Sequence, residues 1–258
     1  GAPVAAVAAD SYARAREALA RIEVEFEELE PLLDPEEAVK RKSFVEDEPR
    51  RYERGDVDTA LAGADVVVEA EYRTQTVLHN SMETHQSVVR WEGDTLEVYI
   101  STQYIWGVRD AVAQQLDLSA DRVRVVCNYM GGGFGSKNGP GDYTYIAVAL
   151  ASKTGRPVRC ALTRREENLA TGNRNSTIQR IRAGARSDGT LVALEGEFVN
   201  AVGWTGWSGP TYGPMEMLYA CDNVRTLTYG AKLNLPPNAA FRAHGFVEGT
   251  FGLECVLD

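Results

Sequence analysis

Strand-like runs rich in branched and aromatic residues crowd the middle of the chain. DVVVEAEYRTQ (65–75), HQSVVRWEG (85–93) and TLEVYISTQ (95–103) are three of them, and Glu92-Gly93-Asp94 between the last two predicts a hairpin turn. RVRVVCNY (122–129), PVRCALT (157–163) and the stretch 176–203 continue the series, the last broken at Ser187-Asp188-Gly189. A different period separates them. VRDAVAQQLDL (108–118) and DYTYIAVALASKTG (142–155) space their apolar residues as helices do, and Gly155 stands where a left-handed C-cap belongs. At the start of the chain PVAAVAA (3–9) has the small, branched character of a buried strand. SYARAREALARI (11–22) then predicts a helix capped by Asp10 or Ser11, and EVEFEEL (23–29) alternates like a half-exposed strand. The fold class expected is α+β, with mixed sheets and packed helices.

From Asp34 to Asp65 the chain is charge-rich, with little apolar periodicity beyond a short helix near Val57–Leu61, and it reads as an inter-domain linker. The 258 residues are 44% hydrophobic, enough for a real core. A net charge of −10 argues against nucleic-acid binding, which needs a basic face. No apolar run is long enough to span a bilayer and no signal peptide is evident, so a cytoplasmic protein is expected. Cys127, Cys160, Cys221 and Cys255 show no zinc or redox spacing and read as free thiols. His79 and His85 flank SMET at a spacing that is not a ligand pattern, and Glu83 between them reads as a hydrogen-bonded structural carboxylate before a general base. No protein ligand to a metal is predicted. Both ends break into regular patterns, as expected of a fragment.

Chemistry concentrates in YMGGGFGSKNG (129–139), a glycine run between a strand and a helix. That arrangement aims backbone N–H groups at an anion or polarised oxygen, and glycine lets another group come close. The dinucleotide fingerprint fails for want of a following strand with a ribose-binding acid, and the phosphate-loop pattern fails because Lys137 comes too early.

YMGGGFGSK resembles the molybdenum-site glycine loop of the xanthine dehydrogenase/aldehyde oxidase family of molybdenum hydroxylases. HNSMETHQSVVRW (79–91), ISTQ (100–103), KTGRPVRCALTRREENLATGNR (153–174) and AAFRAHGFVEG (239–249) match further family motifs in order. The resemblance implies a molybdenum-cofactor-binding domain of the xanthine oxidase type, divided as 1–40 for the tail of a preceding small α/β domain, 41–64 for a linker and 65–258 for the first part of the molybdopterin-binding domain. It implies that Gly132, Gly133, Phe134, Gly135, Gln103, Phe241 and Arg242 border the cofactor, with Gln103, Phe134, Gly135 and Arg242 as the catalytic set. The Gly135 N–H is expected to donate to an oxygen ligand of the metal.

Three substrate-pocket positions depart from xanthine-oxidising members. Asn138 replaces a glutamate, Glu216 lies where an arginine holds the purine, and His244 replaces an aromatic ring. A site that leaves a ligand's polar atoms unpaired rejects it strongly, so xanthine is not expected. Ala243 stands where carbon monoxide dehydrogenases carry a copper-binding cysteine, which argues against that reaction too. An aldehyde, an aromatic N-heterocycle or an aromatic thioester remains. The resemblance further implies molybdopterin, in its cytosine dinucleotide form, with molybdenum in the complete enzyme. The remaining C-terminal molybdenum domain, with its general-base glutamate, an iron–sulfur subunit and an FAD-bearing flavin subunit would be partners in an oligomer, and the chain alone would be inactive. Two readings from other classes stand beside this one: a non-catalytic scaffold of the same fold, and an unrelated enzyme using the glycine loop for phosphate.

Overall fold

The computed structural model describes residues 2–258. In chain order its elements are α1 (Tyr12–Leu19), α2 (Pro35–Lys40), β1 (Arg50–Arg54), α3 (Val57–Ala62), β2 (Val66–Thr74), β3 (Gln86–Glu92), β4 (Thr95–Ile100), α4 (Ile105–Gln115), β5 (Val123–Val126), α5 (Gly141–Thr154), β6 (Val158–Ala161), α6 (Arg164–Ala170), β7 (Thr177–Ala185), β8 (Leu191–Gly203), α7 (Gly213–Met217), β9 (Val224–Leu233) and α8 (Phe246–Leu257). They fall into two compact units. The first runs up to Glu30 and takes up His79–Thr171; the second holds Pro31–Leu78 and Gly172–Asp258.

The first unit has a four-stranded sheet in the order β5-β4-β3-β6. The predicted hairpin joins β3 to β4, Glu92 facing Thr95 across Gly93, which takes φ +57°. β5 lies parallel to β4, with Tyr99 opposite Val126, after a crossover through α4. Apolar residues of α4 and α5, among them Val108, Val112, Ala147 and Ala151, pack with Val89, Leu96, Val98 and Val123 of the sheet. Parallel pairing has a consequence for function. The chain leaves β4 and β5 at the same edge, so the segment after Ile100 and the glycine run after Val126 start side by side. Gly155 caps α5 at φ +64° with open space where a Cβ would go. Gly155→Ala is therefore expected to cost about 1 kcal/mol through backbone strain alone, measurable as a small fall in denaturation midpoint.

The second unit has a five-stranded sheet in the order β1-β9-β8-β7-β2, mixed because β8 and β9 are parallel. Leu253 and Val256 of α8 pack with Ile181, Leu194 and Phe198 of this sheet. The chain leaves this unit after β2 and returns to it in β7, the strand beside β2. The chain-order division expected at 1–40, 41–64 and 65–258 therefore does not follow the compact units.

Two local expectations need correction. Residues 3–9 and 23–29 form no strand, and only the helix between them appears. Their pattern is strand-like, but among the described residues neither finds a ladder neighbour, and unpaired strand backbone gains nothing over solvent. α1 stops at Leu19 and buries none of its residues. The expected linker, in turn, is structured: β1 pairs antiparallel with β9, and Ala38 and Val57 are fully buried. Its charges complement arginines of the sheet. Glu53 and Asp58 hold Arg225 at 2.9 and 2.7 Å, and Glu36 pairs with Arg73 and Arg180. Among the described residues no helix is long and apolar enough to cross a membrane.

Candidate functional site

In the first unit the glycine loop leaves β5 and returns towards Gln103, which follows β4. Gly132, Phe134 and Gly135 take φ of +96°, +53° and +107°. Two of the three are glycines, the residue that adopts this region freely. Phe134 adopts it at a cost, and the residue is 49% exposed. Gly133 is buried under Gln103: a Cβ there would lie 2.7 Å from Gln103 Cδ and 2.9 Å from Cγ. Gly131 is packed in the same way on Glu83 Cβ, at 2.5 Å.

Gln103 is tied to the loop by three hydrogen bonds, the longest from the Lys137 N–H to its Oε1 at 3.4 Å. Its Oε1 accepts from the Gly135 N–H at 2.8 Å, and its own N–H donates to the Lys137 carbonyl at 2.8 Å. The Gly135 amide, expected to meet an oxygen ligand, thus donates to the carboxamide expected beside that ligand. This orients the side chain and leaves Gln103 Nε2 without a protein acceptor among the described residues. No group of three or more His, Cys, Asp or Glu among the described residues is arranged to hold a metal ion. Neutral donors on a glycine shelf suit a group that brings its own anionic or oxo ligands.

Beneath the loop lie charges that its sequence does not advertise. Lys137 is 0% exposed; its Nζ donates to the Glu83 carbonyl at 2.9 Å, to Ser101 Oγ at 2.9 Å and to Glu83 Oε2 at 3.3 Å. Glu83 Oε2 also accepts from Ser101 Oγ at 2.5 Å and from the Gly131 N–H at 2.7 Å, while Oε1 accepts from Gln86 at 3.0 Å. A second pair, His85 and Glu167, stands beside it: the His85 N–H donates to Glu167 Oε2 at 2.7 Å, and its Nε2 meets the Ser136 carbonyl at 3.1 Å. Glu83 is accordingly a structural carboxylate. Burial pushes its pKa up, but the hydrogen bonds from Ser101, Gly131 and Gln86 and the charge of Lys137 prevail and hold it at about 2. A carboxyl lowered on folding stabilises the native state above its unfolded value near 4.5, and that contribution is lost as pH falls towards about 2. Glu83→Gln is expected to flatten the acid-unfolding curve across that window; a curve of unchanged slope would contradict it.

In the second unit the motif residues Phe241 and Arg242 sit on the loop before α8, with Ala243 at φ +56°. Arg174 holds this loop. Its Nη2 donates to the carbonyls of Phe241 and Arg242 at 2.6 and 2.7 Å, its Nη1 donates to Glu248 at 2.7 Å, and its guanidinium lies 4.6 Å from the Phe241 ring centre. His244, exposed on the same loop, meets Trp207 edge-on at 4.9 Å, and the Trp207 N–H donates to Asn238 at 3.0 Å. The structure brings Gln103 together with Gly132–Gly135 in one unit, and Phe241 with Arg242 and His244 in the other. Asn138 is exposed next to Lys137. Glu216 joins neither group: its carboxylate is occupied by Arg50 at 2.6 Å and Thr226 at 2.6 Å. Sequence reasoning missed Lys137, Glu167, Arg174 and Glu248 as members of these sites. The signal available was position, since Lys137 directly ends the glycine loop and Arg174 closes a quoted motif.

Known proteins are similar to this chain along most of its length. The description "molybdopterin cofactor-binding domain" matches residues 39–258. Xanthine dehydrogenase of Drosophila pseudoobscura pseudoobscura is 36% identical over 98% of the chain, and aldehyde oxidase 1 of Oryctolagus cuniculus is 35% identical over 98%. The chain spans about a fifth of either relative, 20% of its length. Among solved structures, quinoline 2-oxidoreductase from Pseudomonas putida 86 superposes over 96% of the chain and 34% of its own with a TM-score of 0.87 at 26% identity. The aldehyde oxidoreductase of Desulfovibrio gigas does so over 92% and 28%, with a TM-score of 0.77 at 26% identity.

Proposed function

The chain belongs to the molybdopterin cofactor-binding family, among the enzymes of the xanthine dehydrogenase and aldehyde oxidase type, and on that premise we propose that its glycine loop and Gln103 form one wall of the cofactor site. One observation carries the reading: Gln103 lies so close over Gly133, and so well aligned with the Gly135 amide at 2.8 Å, that the loop has room for no side chain there. Bound there, the molybdenum cofactor supplies the two-electron hydroxylation chemistry, with water as the source of oxygen. The chain positions and polarises. Gln103 Nε2, oriented by the Gly135 N–H on Oε1, is the donor for the cofactor's ligands. The Phe134 ring shields it from water. In the second unit, Arg174 fixes the loop that carries Arg242.

The substrate in this reading is an aldehyde or an aromatic N-heterocycle. The names of the two solved neighbours support that choice, and so do Asn138 and His244, which stand where the resemblance puts a glutamate and an aromatic ring in xanthine-oxidising members. The complete enzyme carries the cofactor in its cytosine dinucleotide form, with iron–sulfur clusters and FAD on partner domains or subunits in an oligomer, in the cytoplasm. The chain by itself is inactive. Metal and pterin analysis of the complete protein, with turnover assays on an aldehyde and on quinoline, tests the proposal. Bound molybdenum and hydroxylated product are expected. A correctly folded complete protein with neither would make the chain a scaffold that keeps the fold without the chemistry.

A further inference from the structure

We infer that Glu83 and Lys137 are positioning residues, which set the glycine loop at the place where the Gly135 amide and the Gln103 carboxamide meet. The inference deepens the reading above and rests on it for its functional part. One carboxylate oxygen gathers three segments. Glu83 Oε2 takes the Gly131 N–H at the loop's entry, the Lys137 ammonium at its exit and the Ser101 hydroxyl two residues before Gln103. The backbone repeats the connection. Glu83 N–H donates to the Gly131 carbonyl at 3.1 Å, and the Lys137 carbonyl accepts from Gln103 N–H at 2.8 Å and from Thr102 Oγ1 at 2.9 Å.

Packing alone does not call for a lysine there. A buried ammonium loses its hydration and is tolerated only when its protons are matched, and a methionine would fill similar space without that loss. Lys137 has three protons and three acceptors: the Glu83 carbonyl, Glu83 Oε2 and Ser101 Oγ. What the charge adds over an apolar side chain is direction, because those acceptors lie on two separate segments and fix the loop's exit against both. The nearby His85–Glu167 pair, which reaches the Ser136 carbonyl, is a second strut on the same loop and the other titratable pair that faces it.

The test uses the complete protein with Lys137→Met, Glu83→Gln and the double variant, read by hydrogen–deuterium exchange and by the electron paramagnetic resonance of its molybdenum centre. Exchange in 131–137 is expected to quicken roughly tenfold or more in Lys137→Met and in the double variant, with β4 and α5 as protected as in the wild type. The resonance should shift at unchanged molybdenum content, and kcat should fall by roughly 100-fold with little change in KM. If Lys137→Met does not fold, the double variant, which leaves no lone buried charge, decides the matter. A double variant with wild-type exchange, resonance and kcat would overturn the inference. Absence of molybdenum from the wild type would instead remove the functional reading, and exchange would still judge the positioning.

Discussion

Replacing Gly133 by alanine is expected to lower kcat of the complete enzyme by roughly 100- to 1,000-fold while leaving its thermal stability near the wild-type value, the penalty typical of losing one well-placed polar donor. The two effects separate because of what the new methyl group would strike. Its nearest neighbours are the outer atoms of the Gln103 side chain, with Cδ at 2.7 Å, and no backbone atom is among them. A flexible side chain moves away at little cost. Gly133 is also absent from the positive-φ positions of the loop, so alanine adopts its backbone without strain. The displaced carboxamide then leaves the Gly135 N–H, and Gln103 Nε2, the donor proposed to face the cofactor, loses its alignment. Steady-state turnover and a thermal melt of the same preparation check this. Unchanged turnover would mean that the position of Gln103 is immaterial, and a large drop in melting temperature would mean that the loop itself had been displaced.

The largest expected effect on stability is at Arg174. Arg174→Met leaves the Glu248 carboxylate, only 3% exposed, without its cation, and such a change costs about 3–5 kcal/mol. It also strips the Phe241 and Arg242 carbonyls of their shared donor. Arg174→Met with Glu248→Gln should recover most of the loss, because it removes the lone buried charge. The loop carrying Arg242 stays untied in both variants, so activity should remain low even where stability returns. Denaturant dependence of amide exchange in β7 and α8 measures the first part, and kcat the second. A single variant as stable as the wild type would show that Glu248 is not committed to Arg174.

Much of this was legible in the residues because it depends on local signals. The turn at Gly93, the C-cap at Gly155 and the helical spacing of 142–155 each follow from a few adjacent residues, and each appears in the structure. The parallel pairing of β4 and β5 was not legible, yet it brings Gln103 beside the glycine loop, and only the ordered motifs pointed there in advance. Failures share one cause. The pattern at 3–9 and 23–29 states a preference that a strand realises only with a neighbour, and neighbours are tertiary. The charges of 34–65 looked like solvated linker because their partners, Arg180 and Arg225, lie more than a hundred residues further along the chain. Lys137 escaped notice for a related reason: lysine is ordinarily exposed, and its burial depends on Glu83 and Ser101 arriving from two other segments.

Anomalous diffraction at the molybdenum edge from crystals of the complete protein tests the central claim most directly. The metal peak is predicted beside Gly135 and Gln103, with Gln103 Nε2 within hydrogen-bond reach of its ligands and the Gly135 N–H still on Gln103 Oε1. A peak bordered by other residues, with the 132–135 loop turned away from it, would contradict the account.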